Sequence, residues 1–146
     1  MAEARLVIPF FKKWEGGYVN DPDDAGGCTC SGITIGTYRK YYGNNTCYDL
    51  RHITEEEWLH IFKIGYWDKM KADYIDNQSI AQLCVDMCWG SGPVTAIKRI
   101  QRCLGVEADG IVGKGKLAAL NAPDRKATFD KLWNMRYNWF ISIANL

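Results

Sequence analysis

Apolar residues return every three or four positions along most of this 146-residue chain, and the runs are closed by glycines, prolines or capping side chains. That period lays apolar side chains along one face of a helix, whereas a half-buried strand needs strict alternation. Leu6, Phe10 and Trp14, with Val7 and Phe11 beside them, predict a first helix ending at Gly16-Gly17, with Pro9 marking a kink or a start. In "ITEEEW", Thr54 can cap and Glu57 can close a capping box, which opens a helix from about Thr54 to Lys69. Ile80, Leu83, Cys84 and Met87 mark the next helix, which stops at "WGSG". Pro93 then starts another, carrying Ile97, Ile100 and Leu104. Asp109-Gly110 reads as a turn, and a short helix follows over roughly Gly113 to Leu120. Pro123 opens a last long helix in which Phe129, Leu132, Trp133 and Phe140 share a face. Strand signals are confined to "TCSGITIGTY", a small β ribbon or bulged loop near residues 28–37. The expected class is mainly α with a minor β element, in a single domain over residues 1–146.

Charge and hydropathy exclude whole classes of function. The formal net charge is +1, so the chain lacks the basic field that non-specific nucleic-acid binding requires. No apolar stretch approaches the roughly 20 residues of a membrane span. The first ten residues lack the basic, apolar and small-residue series of a secretory signal, which predicts synthesis in the cytoplasm.

Six cysteines are many for a cytoplasmic chain. Cys84 and Cys88 lie four apart on an apolar helical stripe and read as small buried hydrophobes. Cys28, Cys30 and Cys47 sit in polar, loop-like sequence, where two of them could tie the segment down. A zinc site with His52 is the other option, although "CTC" lacks the two-residue spacer of common zinc knuckles.

The chemistry-bearing stretch is "WEGGYVNDPDDAGGCTCSGIT", residues 14–34. Glu15 follows an indole and precedes two glycines, so its carboxyl can sit against an aromatic wall while the backbone turns away. Desolvation of that kind raises a carboxyl pKa toward the range of a general acid. Asp24 lies in a polar, glycine-rich setting that favours the ionised form. Two carboxyl groups in unlike environments are what glycoside cleavage uses. Thr29 can orient a water or a sugar hydroxyl. The plainer alternative makes Glu15 a helix-end charge, Asp23 and Asp24 turn caps, and the glycines turn makers.

The same stretch resembles the opening signature of the glycoside hydrolase family 108 muramidases: E-G-G-Y, then D-x-G-G-x-T-x-x-G-I-T. It is matched at Glu15 to Tyr18, Asp24, Gly26, Gly27, Thr29, Gly32, Ile33 and Thr34. "IGYWDKMKAD" is similar to the family's Tyr-Trp segment at Tyr66 and Trp67, and "LCVDMCWGSGPVTAIKRIQRCLGVEADGIVG" to its carboxy-terminal peptidoglycan-binding-type region. In that region Asp86, Gly92, Gln101, Asp109, Gly110 and Gly113 fall in register, while Gly90 replaces a usual Asn and Lys116 a small hydroxyl residue.

The resemblance implies a lysozyme-like fold with a catalytic signature region over 1–76 and a peptidoglycan-binding-type helical region over 77–146. It implies an N-acetylmuramidase that cuts the β-1,4 bond between N-acetylmuramic acid and N-acetylglucosamine. Glu15 would be the general acid and Asp24 its partner, with Tyr18, Thr29, Tyr66 and Trp67 on the substrate. No metal or other cofactor is implied. The expected partner is the peptidoglycan glycan strand, met by a monomer at the cell wall or periplasm after release by a separate route. A lytic transglycosylase and a non-catalytic wall-binding or export-assisting protein are the rival readings. Trp133 and Trp139 are expected in the core, and the cations of "IKRIQR" on a solvated helix face.

Overall fold

The structure, a computed structural model, describes residues 1–15, 17–20 and 27–144, with the backbone alone for residues 12–15. It is mainly helical with one small antiparallel sheet, the class expected, and its residues fall into two compact units.

The first unit, Arg5–Lys63, holds helix α1 (Ile8–Glu15), strands β1 (Tyr18–Asn20), β2 (Cys28–Cys30) and β3 (Ile33–Thr34), and helices α2 (Ile35–Tyr42), α3 (Cys47–Arg51) and α4 (Glu55–Phe62). Pro9 does mark a start: a 3-10 turn, Ala4–Val7, gives way to α1 at Ile8, so the proline sits in the first turn, where no N–H is needed. That change of winding also shifts the buried stripe. Val7, Ile8 and Phe11 are buried, while Leu6 is 58% exposed, which corrects the expected Leu6–Phe10 face. Phe11 packs against Phe62 at 4.9 Å and Trp58 at 6.1 Å, and Trp58 stacks on Phe62 at 5.0 Å.

Helices α2, α3 and α4 are each started by a capping side chain. Thr34 accepts from the Thr37 N–H at the head of α2. Thr46 and Asp49 close a capping box on α3, and Thr54 and Glu57 close the expected one on α4. The ribbon is a three-stranded sheet in the order β1-β2-β3. Cys30 faces Ile33 across the two-residue turn Ser31-Gly32, in which both residues have positive φ (49° and 82°), the backbone a tight hairpin requires. Ile35 onward is helix rather than ribbon.

The second unit, Met1–Ala4 with Ile64–Leu146, holds a 3-10 turn (Ala72–Tyr74) and helices α5 (Gln78–Ser91), α6 (Pro93–Cys103), α7 (Lys114–Leu120) and α8 (Arg125–Ala144). The helix expected through Lys69 is instead α4 followed by a π-helical turn, Lys63–Trp67. Gly92, at φ 85°, ends α5 and precedes α6, with Pro93 at its first position, as the "WGSGP" pattern predicts. Cys84 and Cys88 are buried as expected. Burial pushes the Cys88 thiol up to about 12, and burial, followed by the neighbouring Cys88 and Cys103 thiols, moves Cys84 in the same direction.

The last helix presents a different face from the one expected. Asp124, not Pro123, caps α8 by accepting from the Ala127 N–H at 3.0 Å. Thr128 and Leu132 are its buried residues, and Asp86 of α5 pairs with Arg136 one turn on. Trp133 lies one residue, about 100° of helix, off that line. It is 46% exposed and Phe140 50%, so neither is core. Trp139 is half-buried, with the Arg99 guanidinium 4.2 Å from its ring centroid.

Candidate active site

The signature residues fall on the first unit. Glu15 is the last residue of α1, one turn beyond Phe11, whose ring locks the helix into the aromatic core. Its side chain lies outside the described residues, and so does Asp24. Two residues after α1 the Gly17 carbonyl accepts from the Ser31 N–H at 3.3 Å. On the other side of that turn, the Ser31 carbonyl accepts from the Trp58 indole N–H at 3.0 Å. The end of α1, the β2–β3 turn and α4 are thereby joined around one residue, Ser31.

The sheet separates two of the expected substrate residues. Tyr18 pairs with Cys30, and Thr29 with Val19 and Thr34. Directly opposite residues share a face of the sheet. Tyr18 therefore stands on the face of buried Cys28, Cys30 and Ile33, and Thr29 on the face of exposed Val19. Tyr18 remains half-exposed, with the Arg51 guanidinium 5.5 Å from its ring centroid.

The loop cysteines resolve into one pair. Cys28, first residue of β2, is bonded to Cys47, first residue of α3, and Cys30 is a buried free thiol. Two of the three thiols considered for zinc are spent in this bond, and His52 Nδ1 is hydrogen-bonded to the Tyr48 carbonyl at 2.8 Å. Among the described residues no group of three or more His, Cys, Asp or Glu side chains is placed to hold a metal.

Tyr66 and Trp67 belong to the second unit. Tyr66 is half-buried, its ring 4.7 Å from that of Trp89. Trp67 is fully buried, and its indole N–H donates to Asp73 Oδ1 at 2.8 Å. A ring with no exposed face cannot stack on a sugar, so the expectation of a substrate contact at Trp67 is corrected: it is a core residue.

The in-register residues of the second unit build a turn. Buried Gln101 accepts from the Gly110 N–H at 2.9 Å and donates to the Ile111 carbonyl at 2.9 Å and Asp109 Oδ1 at 3.1 Å. Lys116, the departure from the family pattern, donates to Asp109 Oδ2 at 2.8 Å. That ammonium, followed by the Ile111 N–H, holds the Asp109 carboxyl down at about 2, against an ordinary 3.8. A depressed folded pKa contributes stability above the ordinary value, and the contribution is lost as pH falls through the folded one. Replacing Lys116 by Met is therefore expected to lower the melting temperature at about pH 6. The deficit should shrink between pH 4 and pH 2 in thermal melts followed by circular dichroism; a constant deficit would assign Lys116 a packing role instead.

Sequence reasoning missed β1, Arg51 and the tie from Trp58 to Ser31. β1 is three residues long and shows no alternation to read, and the other two are contacts between distant segments. No described helix is long and apolar enough to cross a membrane.

Comparison with known proteins adds two findings. The model of the family described as Glycosyl hydrolase 108 matches residues 8–92. Among solved structures, the chain is similar to one titled "Structure of Brucella abortus SagA", with 29% sequence identity and a TM-score of 0.77, over 94% of this chain and 79% of that one. No curated protein matches.

Proposed function

The chain belongs to the glycosyl hydrolase 108 family, and on that premise we propose that it is an N-acetylmuramidase of peptidoglycan with Glu15 as its general acid. It is a glycoside hydrolase of lysozyme-like, mainly α fold. The observation that carries the finer reading is the setting of Glu15. It lies inside the matched segment, at the end of a helix locked by Phe11, with a sheet edge three residues on. A general acid must be held in place, and a helix end anchored one turn earlier does that with backbone alone.

In this reading the glycan lies across Glu15, which protonates the glycosidic oxygen while positive charge builds on the anomeric carbon. Asp24 steadies that charge or directs water, and the separation of the two carboxyls sets retention (about 5 Å) or inversion (about 6.5–9.5 Å). Tyr18 offers an aromatic ring to a sugar face, Thr29 a hydroxyl near the adjoining strand edge, and Tyr66 a further contact. The catalytic signature over 1–76 acts, and the helical region over 77–146 assists in holding the wall polymer. The proposed working state is a monomer at the cell wall or periplasm, without a metal or organic cofactor.

The test is release of new reducing ends from purified peptidoglycan. Steady release supports a glycosidase acting on that polymer; a protein that binds the polymer and releases none is a wall binder. Asp24→Asn is expected to reduce the rate by about tenfold, less than loss of the acid, because it removes one charge while leaving proton delivery in place. An unchanged rate in Asp24→Asn would take Asp24 out of the mechanism.

A further inference from the structure

Arg51 is an exposed cation that the reading above leaves unused. It ends α3, makes no ion pair with a described residue, and holds its guanidinium over the Tyr18 ring at 5.5 Å. Three other arginines are committed to carboxylates, Arg5 to Glu56, Arg125 to Asp76 and Arg136 to Asp86, and Arg39 donates to the Asn45 carbonyl. The acid nearest in sequence, Asp49, is turned to the head of α3, where its Oδ2 accepts from the Thr46 N–H at 2.8 Å and hydroxyl at 3.0 Å. A ring below a guanidinium orients it without neutralising its charge, so its N–H fork stays available. The placement is built in covalently. Cys47, one turn before Arg51, is bonded to Cys28 of β2, the strand paired with the strand of Tyr18. Tyr18 in turn stands three residues from Glu15 in the chain.

We propose that Arg51 is a substrate-binding residue that pairs with carboxylates carried by the glycan, so that the site prefers acidic peptidoglycan to a neutral polymer of the same linkage. The inference rests on the reading of this site as glycan-binding. Planar carboxylates are what a guanidinium fork matches in two parallel hydrogen bonds, and a neutral sugar offers no such partner. The carboxylate has two sources in the wall polymer, the lactyl group of the muramic acid and the stem peptide.

Three tetrasaccharides separate the cases: neutral chitotetraose, an N-acetylglucosamine/N-acetylmuramic acid alternating oligomer with free lactyl groups, and the same oligomer with stem peptides attached. Titrated calorimetrically against the full chain in a Glu15→Gln background, the acidic oligomers should bind more tightly than chitotetraose. Arg51→Gln should then lower the ratio of acidic to neutral affinity about tenfold, the scale of one charge-assisted pair. Arg51→Lys should keep part of the preference, and Lys40→Gln, a change at another exposed cation of the same unit, should leave the ratio as it was. The acidic oligomer that responds names the carboxylate source. Equal weakening of all three oligomers, no weakening of any, or binding of none overturns the proposal. Should the chain with Glu15 intact bind acidic oligomers through Arg51 yet cut none, the hydrolase reading fails and the carboxylate site stands.

Discussion

Replacing Glu15 by Gln is expected to lower the rate of peptidoglycan clearing by at least ~10²-fold, the ordinary contribution of a positioned general acid. The amide keeps the size and most of the hydrogen-bonding capacity of the carboxyl but has no proton to give, so the loss reports proton delivery and not packing. A hundredfold corresponds to about 2.7 kcal/mol of transition-state stabilisation. Binding of an intact oligomer should be nearly unchanged, since in the proposed mechanism the carboxyl acts on the leaving oxygen in the transition state. That split between rate and affinity separates a chemical role from a helix-end charge, for which the substitution would move the melting temperature and leave turnover alone. Equal clearing by both forms would remove Glu15 from the chemistry.

Removing the bond between Cys28 and Cys47 is expected to cost about 3 kcal/mol of stability, because it frees a loop of some 20 residues in the unfolded chain. In a domain of this size that is a fall of about 10 °C in melting temperature. Cys47→Ser and Cys28→Ser should show the same fall, since either breaks the same link, and chemical reduction of the native chain should reproduce it. Cys103→Ser, at a half-buried free thiol, should show little. Alkylation of the denatured, unreduced chain should count four thiols, and six after reduction. Six before reduction, or an unchanged melt in both serine variants, would contradict the bond. The functional weight of the link lies in what it joins: β2 carries Thr29, and α3 carries Arg51 beside Tyr18.

What could be read ahead of the structure was written in local chemistry. The Thr54–Glu57 box, the Gly92-Pro93 join and the Asp109-Gly110 turn each act within a few residues, so their signals survive in the bare sequence. The helical phase did not survive where winding changed: a 3-10 turn ahead of Ile8 put Val7 inside and Leu6 outside. Along α8, apolar residues occupy more than one face, and the side that turns inward is the one carrying Thr128, Leu132 and the Arg136–Asp86 pair. Trp67 could be named as important but not as buried, because an indole in a π-helical turn looks the same in sequence whether it meets Asp73 or a ligand. At the site, Glu15 and Tyr18 were legible as neighbours in a short motif. The pairing of Cys28 with Cys47 over Cys30 is set by which residue opens β2 and α3, and Arg51 reaches Tyr18 only through that fold.

The central claim is that water is added across one kind of bond, the β-1,4 link on the reducing side of N-acetylmuramic acid. Mass spectrometry of the muropeptides released from purified peptidoglycan tests it directly. Disaccharide–peptide products ending in N-acetylmuramic acid with a free reducing end are predicted. Products lighter by one water, or products ending in N-acetylglucosamine, would contradict the account.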